Sequence, residues 1–253
     1  MYFPKFVIKN NGVPILSKKE LEIMAENFLK DFKREILIEP QAIDIDDFAF
    51  NYLGLKLDFH HLSHDESILG AMVFDDTVIP VYNPESNKAE YSVIDKETVV
   101  IDSKLAEEHQ ERRYRYTVGH EVGHAIFHRK YFKHKSHISY YDEKNLKLVQ
   151  EAEETFSGYK SVGLWEDKDF VEWQANYFSA ALLMPRSMIV KVLMELPLKD
   201  KDLKEEEYVY AVTKIFQVSW EAAANRLNSL GIIKNADRIK SRKSIFLDFA
   251  VDF

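Results

Sequence analysis

The segment TVGHEVGHAIFH, residues 117 to 128, constrains this chain more than any other stretch. It places His120 and His124 four residues apart around Glu121, in an H-E-x-x-H arrangement. Four residues make about one helical turn, so on a helix both imidazoles project from one face and can bind one metal ion. Glu121 lies about 100° around the helix, where its carboxylate can reach a water molecule on that ion. The spacing predicts a metal site with Glu121 as general base.

The same segment indicates how the helix packs. An apolar stripe opposite the two histidines can anchor it in a core: Val118, Val122, Ala125 and Ile126. Gly119 and Gly123 each weaken a helix by about 1 kcal/mol relative to alanine, which indicates that another element approaches its surface closely. The competing interpretation is an ordinary amphipathic helix whose two histidines face solvent.

A third metal ligand has to be His, Asp or Glu, because the chain contains no cysteine. Glu172 is the preferred candidate, at the start of EWQANYFSAALLMP, residues 172 to 185. Its helical face also carries Ala175, Asn176 and Ser179, whose small side chains would let this helix lie against the two glycines. Other candidates for the third ligand are His128, His134, His137, Asp142 and Asp169. His128 would sit one turn too far along the helix to share the ion, so we expect it to support the site from behind.

Bulk properties narrow the function further. The formal net charge of −8 disfavours binding to a phosphate backbone. The opening MYFPKFVIKNNG lacks the features of a signal peptide, and no run approaches about 18 apolar residues. We therefore expect a cytoplasmic protein with no membrane span and no direct contact with nucleic acid.

Periodicity predicts helices over residues 18–35, from Pro40 to Gly54, over 111–128 and over 169–184, and a helix pair at 205–216 and 220–230. Short runs rich in β-branched and aromatic residues predict a small sheet: LKLDFHHL, ILGAMVFDD, VIPVY and ETVVIDS. We expect an α+β fold. A small twisted sheet packs against the H-E-x-x-H helix and a second helix bearing the third ligand, with helical additions at both ends.

The two blocks RYRYTVGHEVGHAIFH and EWQANYFSAALLMP resemble the ImmA/IrrE family of zinc metallopeptidases in residue type and order. The resemblance extends over roughly residues 38 to 233. It implies one zinc ion per chain on His120, His124 and Glu172, with Glu121 as the catalytic base. It also implies a protein substrate, a repressor-type transcriptional regulator with a helix-turn-helix, cleaved during stress responses or mobile-element induction.

We divide the chain into an N-terminal helical extension (1–36), a metallopeptidase core (37–186) and a C-terminal helical region with its tail (187–253). Two departures from the family pattern stand out. The 47 residues between His124 and Glu172 are more than the family pattern has. We expect no repressor-like DNA-binding domain within residues 1–36, where many relatives carry one. The C-terminal helix pair resembles a helix-turn-helix only superficially, and plain packing is the preferred interpretation.

The long connection, residues 129–171, is interpreted either as a substrate-gripping lid or as a passive insertion. It holds His137, Tyr140 and Tyr141, each of which could donate a hydrogen bond to the oxyanion of a tetrahedral intermediate. Asn176 and His128 are further candidates for contacts with the ligands or the substrate. We expect the substrate to bind as an extended strand along ETVVIDS, residues 97–103, at a sheet edge.

The sequence thus predicts a zinc metalloendopeptidase. The first alternative is a regulatory protein of the same fold that sequesters a partner without cleaving it. A second alternative is a DNA-binding regulator acting through the C-terminal helices. A third is a non-haem iron oxygenase, because two histidines and one carboxylate also suit iron.

Overall fold

The computed structural model describes residues 1–133, 135, 138–142, 165–196 and 204–241. The α-helices within this part of the chain are α1 (Lys18–Phe32), α2 (Glu111–Phe127), α3 (Arg129–Lys133), α4 (Asp167–Leu183), α5 (Arg186–Glu195), α6 (Lys204–Phe216), α7 (Trp220–Ser229) and α8 (Ala236–Ser241). A short π-helix, Asp47–Tyr52, accounts for the helix predicted before Gly54. The predicted helical segments are therefore present, with ends that differ by a few residues.

The strands are β1 (Val7–Ile8), β2 (Pro14–Ile15), β3 (Lys56–His60), β4 (Ile68–Val73), β5 (Thr77–Asn83), β6 (Lys88–Ile94), β7 (Thr98–Asp102) and β8 (Tyr141–Asp142). Four of them form the main sheet in the order β3-β7-β4-β8. β3 runs parallel to β7, whereas β4 is antiparallel to both β7 and β8. β1 with β2 and β5 with β6 form two separate antiparallel pairs.

The prediction that ETVVIDS provides a free sheet edge is wrong. β7 lies inside the main sheet, hydrogen-bonded to β3 on one side and to β4 on the other. All five of its residues are buried. A strand with both neighbours in place has no backbone groups left to pair with a substrate, so β7 cannot receive one. β4 is the next strand of the sheet, and its outer neighbour is only the two-residue β8.

The main sheet separates two apolar clusters. The larger one extends from Val13 to Ile239 and includes residues of α1, α2, α4, α6 and α7. The smaller one lies on the opposite face, where Val73 and Val100 of the main sheet meet Ile79 and Ile94 of the β5–β6 pair. The mixture of small sheets with flanking helices confirms the predicted α+β class. The division into three segments stays a prediction.

The end regions meet on α4. Ser17 caps α1 through a reciprocal pair of hydrogen bonds with Glu20, which fixes where α1 begins. From α1, Glu22 reaches Arg226 of α7 in a buried ion pair. Arg226 also donates to the carbonyl of Met184, which closes α4. One side chain thus joins the N-terminal helix, α4 and the C-terminal helices.

No single helix of the described residues is long and apolar enough to cross a membrane. Taken together, α4 and α5, which are bent by 45° relative to each other, would pass that test on length and composition.

Candidate metal centre

The site is built where α2 packs against α4, and small residues permit the contact. A Cβ added to Gly119 would lie 2.5 Å from Oγ of Ser179. A Cβ added to Gly123 would lie 3.0 Å from Cα of Ala175. The glycines on α2 and the small residues on α4 therefore bring the two backbones together, as the sequence predicted, and Glu172 on α4 comes opposite the histidines of α2.

The two helices bring His120, His124 and Glu172 together, and one ligand atom from each lies within 4.8 Å of the others. Glu172 Oε2 is 3.4 Å from His120 Nε2 and 3.6 Å from His124 Nε2. The two Nε2 atoms are 2.8 Å apart. Zinc–ligand distances of 2.0–2.1 Å at a tetrahedral angle imply ligand separations of about 3.3 Å. The carboxylate distances fit this value, and the imidazole pair would have to open slightly.

The charges within this group favour a metal ligand set. Burial raises the pKa of Glu172, but His124 and His120 outweigh that effect and hold the pKa well below the usual range of a glutamate. Burial lowers the pKa of His124 below its usual value. Burial also acts to lower the pKa of His120, but the hydrogen bond to Glu172 and the nearby carboxylates leave it raised overall. An ionised carboxylate with two imidazoles, all buried, matches the donors that zinc and iron take in catalytic sites.

The outer nitrogens of both histidines have hydrogen-bond partners. His120 Nδ1 lies 2.9 Å from Oδ1 of Asn176. His124 Nδ1 lies 3.0 Å from Nδ1 of His128, whose Nε2 lies 3.0 Å from Oε1 of Gln174. Such partners orient metal-binding imidazoles and fix which nitrogen carries the proton. The structure thus places Asn176 and His128 beside His120 and His124, and it adds Gln174, which the sequence reasoning missed.

Glu121 lies beside the ligand group and is completely buried between α2 and β4. Its Oε2 accepts a hydrogen bond from Oγ of Ser139 at 3.0 Å. Its Oε1 has no hydrogen-bond partner among the described residues. That oxygen faces Gly70 of β4, where an added Cβ would come within 3.1 Å of it. Burial raises the pKa of Glu121 to about 7. The carboxylate can therefore exchange a proton close to neutral pH.

The edge of β4 nearest the site is covered by residues 138–142 of the chain itself. Tyr141 pairs with Gly70, and Ile138 forms an isolated bridge with Val73. The amide of Ser139 donates to the carbonyl of Met72 at 3.1 Å. The ring of Tyr141 lies 4.3 Å from that of His120, centroid to centroid. Residues 138–142 of the long connection thus run along β4, with Tyr141 beside the candidate site.

The remaining predicted residues have different positions. Tyr140 is half-buried and packs against the smaller apolar cluster on the far face of the sheet. Asp169 accepts from the amide of Glu166 and caps α4, so its carboxylate serves the helix terminus. His134 and His137 lie outside the described residues. Phe132, which the sequence reasoning did not single out, packs 5.3 Å from the ring of His124.

Three comparisons with known proteins bear on this site. The family model described as Peptidase_M78, IrrE N-terminal-like domain, matches residues 161–228, which include Glu172 and Asn176. No curated protein matches the chain.

Among solved structures, a Mycobacterium tuberculosis transcriptional regulator is similar at 12% identity and a TM-score of 0.42. The alignment covers 83% of this chain and 46% of the regulator, so the chain spans about half the length of that protein. The predicted resemblance to the ImmA/IrrE family is thus confirmed over residues 161–228, which hold the second of the two blocks, whereas the H-E-x-x-H block lies outside the matched residues.

Proposed function

We propose that this protein is a zinc-dependent endopeptidase, with the ion held by His120, His124 and Glu172 and with Glu121 as general base. The observation that carries the proposal is the buried group of His120, His124 and Glu172. A second buried carboxylate, that of Glu121, lies beside this group, on the same helix as the two histidines. Zinc, when bound, polarises a carbonyl group and lowers the pKa of a bound water to about 7. Iron suits the same three ligands, and the adjacent base favours zinc.

The chain's own residues supply the proton transfers. Glu121 takes a proton from the attacking water and returns it to the amine that leaves when the peptide bond breaks. In the metal-free protein burial raises the pKa of Glu121 to about 7, and a bound zinc ion would lower it from that value, toward the ionised form that accepts the proton of the water. Ser139 holds one oxygen of Glu121 and leaves the other without a partner among the described residues. That second oxygen is the one available to the water.

The substrate is proposed to be an extended protein segment that pairs with β4, because the other neighbour of β4 is already β7. The chain's residues 138–142 hold this place in the structure and so indicate the direction of pairing, antiparallel to β4. Tyr141, whose ring lies over His120, is a candidate for contacts with the substrate. The resemblance to the ImmA/IrrE family supports a repressor-type transcriptional regulator in the cytoplasm as the substrate, in stress responses or mobile-element induction.

The second candidate is a regulatory protein that binds a partner through the same fold without cleaving it. The burial of the whole group favours this alternative. His120, His124 and Glu121 are 0% exposed and Glu172 is 7% exposed. Residues 138–142 lie along the edge of β4 beside this group. A site covered in this way holds a metal ion for structure as readily as for catalysis.

Elemental analysis of the purified protein beside Glu172→Ala and Glu121→Gln tests the proposal. We expect one zinc per chain in the wild type and in Glu121→Gln, and a loss of zinc in Glu172→Ala. The three proteins are then incubated with an undigested proteome extract whose proteins are still folded, and new termini are identified by mass spectrometry. New termini that appear with the wild type but not with Glu121→Gln support the peptidase.

Zinc binding without any such termini supports the non-catalytic alternative. If the wild type binds no metal when zinc or ferrous iron is supplied, both the metal site and the peptidase are abandoned.

A further inference from the structure

We propose that Gln174 is a positioning residue for the metal site, because it sets the proton positions of a hydrogen-bond chain that ends on His124. The chain runs from the carbonyl of Pro14 through Gln174 and His128 to His124. The inference rests on the proposed metal site. It concerns the nitrogen that His124 offers to the ion.

When His128 is neutral, the donors and acceptors of this hydrogen-bond chain can be arranged in only one direction. The carbonyl oxygen of Pro14 can only accept, so the atom of Gln174 that lies 2.9 Å from it has to be the amide nitrogen. The amide oxygen of Gln174 therefore faces His128 Nε2 at 3.0 Å and requires a proton on that nitrogen. A carbonyl oxygen that cannot rotate thus removes the usual uncertainty about an amide's orientation.

The proton position on His128 in turn determines the proton position on His124. A neutral imidazole with a proton on Nε2 has a lone pair on Nδ1. That lone pair faces His124 Nδ1 at 3.0 Å, so His124 carries its own proton on Nδ1. The free lone pair of His124 is then on Nε2, which faces His120 Nε2 at 2.8 Å, so the proton between these two rings in the metal-free protein belongs to His120. His124 is thereby prepared to bind metal through Nε2.

Burial keeps His128 in the state that the chain requires. His128 is 0% exposed, and its two ring nitrogens contact an amide oxygen and another imidazole, with no carboxylate at hydrogen-bond distance among the described residues. A charge on this ring would lack the ionic partner that buried charges need. If His128 did carry two protons, both its nitrogens would donate, and His124 would have to turn its proton toward the ion.

His120 provides the internal comparison. Its Nδ1 lies 2.9 Å from Oδ1 of Asn176, so its outer partner is a single amide. His124 meets an imidazole instead, which can present either a proton or a lone pair. Gln174, two residues before Asn176 on the same helix, determines which of the two His128 presents. α4 therefore holds the outer partners of both imidazoles as well as the third ligand.

The strand pair β1–β2 takes part in this hydrogen-bond chain through the carbonyl of Pro14. The turn between β1 and β2 lies against α3, where Gly12 approaches the backbone of Tyr131 so closely that an added Cβ would be 2.6 Å from its nitrogen. Gln174 is only 2% exposed beneath this strand pair. The carbonyl that orients Gln174 is thus held by packed backbone.

The test uses Gln174→Met and His128→Phe, two substitutions of similar volume that each interrupt the chain. Zinc affinity is measured by competition with a chromophoric chelator. We expect a dissociation constant 10- to 100-fold higher in each variant, the range seen when such outer partners of a ligand are removed. Lys168→Met, at an exposed position of the same helix, is the control and should stay within about threefold of the wild type.

Two further measurements separate positioning from packing. Because both residues act through one chain, the double variant should bind zinc no more than about twofold more weakly than the weaker single variant. In the metal-free protein, ¹⁵N chemical shifts of the imidazoles should show protons on His124 Nδ1 and His128 Nε2. Gln174→Met should give a mixture of tautomers at both rings.

The tautomers decide the inference independently of the metal. If they are unchanged in Gln174→Met, or if the two substitutions weaken zinc binding additively, the positioning role is wrong. If the wild type shows the expected tautomers yet binds no zinc, the role of Gln174 in the hydrogen-bond chain is supported and the proposed metal function is wrong. If the wild type shows the opposite tautomers, the inference is overturned even when zinc binds.

Discussion

Glu22 and Arg226, which are 204 residues apart in the sequence, meet in a buried two-pronged ion pair. The two terminal nitrogens of Arg226 lie 2.6 and 2.8 Å from the two carboxylate oxygens of Glu22. Tyr177 of α4 donates to the same carboxylate at 2.8 Å. Both carboxylate oxygens of Glu22 therefore have hydrogen-bond partners. The ion pair joins α1 and α7 to α4, the helix that carries Glu172.

Arg226→Leu should lower the free energy of unfolding by about 3–5 kcal/mol, because it leaves the carboxylate of Glu22 buried without its cation. Urea unfolding followed by circular dichroism measures the change. The double variant Glu22→Leu/Arg226→Leu should recover much of the loss, since neither charge is then stranded. Equal destabilisation in the single and double variants would show that packing, and not charge, is what the arginine contributes.

Gly12→Ala should destabilise the protein more than Gly54→Ala. Both glycines have a positive φ, 89° and 72°, which costs an alanine about 1–2 kcal/mol. Only Gly12 lies against another backbone, that of Lys130 and Tyr131, whereas nothing lies within 4 Å of a Cβ at Gly54. The overpacking at Gly12 should add about 1–3 kcal/mol. Thermal unfolding of the two variants side by side gives the difference, and equal melting temperatures would contradict the close contact.

Glu121→Gln should stabilise the metal-free protein in a pH-dependent way. Burial raises the folded-state pKa of Glu121 from 4.5 to about 7. Between these values the unfolded chain loses the proton while the folded protein keeps it, so the stability of the wild type falls as pH rises. At about 1.4 kcal/mol per pKa unit, the total is about 3 kcal/mol.

Glutamine does not ionise, so the advantage of the variant should grow from about pH 4.5 to about pH 7 and then stay constant. Chemical unfolding at a series of pH values in the presence of a chelator measures it. Glu108→Gln, the same substitution at an exposed position, is measured in parallel as the control. A difference that does not depend on pH would mean that Glu121 is not protonated at neutral pH in the folded, metal-free protein.

Ser139→Pro should loosen the strand on β4 more than Ser139→Ala does. Both substitutions remove the hydroxyl that donates to Glu121, but only proline removes the amide that donates to Met72. One such hydrogen bond contributes about 1 kcal/mol, a factor of about five in the population of the open edge. Hydrogen exchange at the β4 amides, compared between the two variants, measures the opening. Identical exchange would show that this backbone bond does not hold the strand.

The grouping of His120, His124 and Glu172 could be predicted because it depends largely on spacing within single helices. His120, His124 and Glu121 follow from one turn of α2, and Asn176 lies one turn after Glu172 on α4. Gln174 was missed because residues two apart do not share a helical face. It reaches the site through His128, where the backbone leaves helical geometry at φ −112° and ψ 5°. That departure is not visible in the sequence.

The sheet could be predicted only in part. Strands β3, β4, β5 and β7 follow from their β-branched residues, but their order depends on tertiary contacts. A continuous buried run such as VVI in β7 is typical of an internal strand, and this signal was available against the edge assignment. β8 has two residues and exists only because β4 offers it hydrogen bonds, so no local pattern could indicate it.

The strand over β4 also determines what can compete for that edge. Because residues 138–142 belong to the same chain as β4, they are present beside it at an effective concentration on the order of millimolar. A short peptide that offers only backbone hydrogen bonds has to outcompete this tethered segment. A folded protein with additional contacts elsewhere on the surface gains the affinity to displace it. The structure therefore favours partners that are large enough to make contacts beyond the edge of β4.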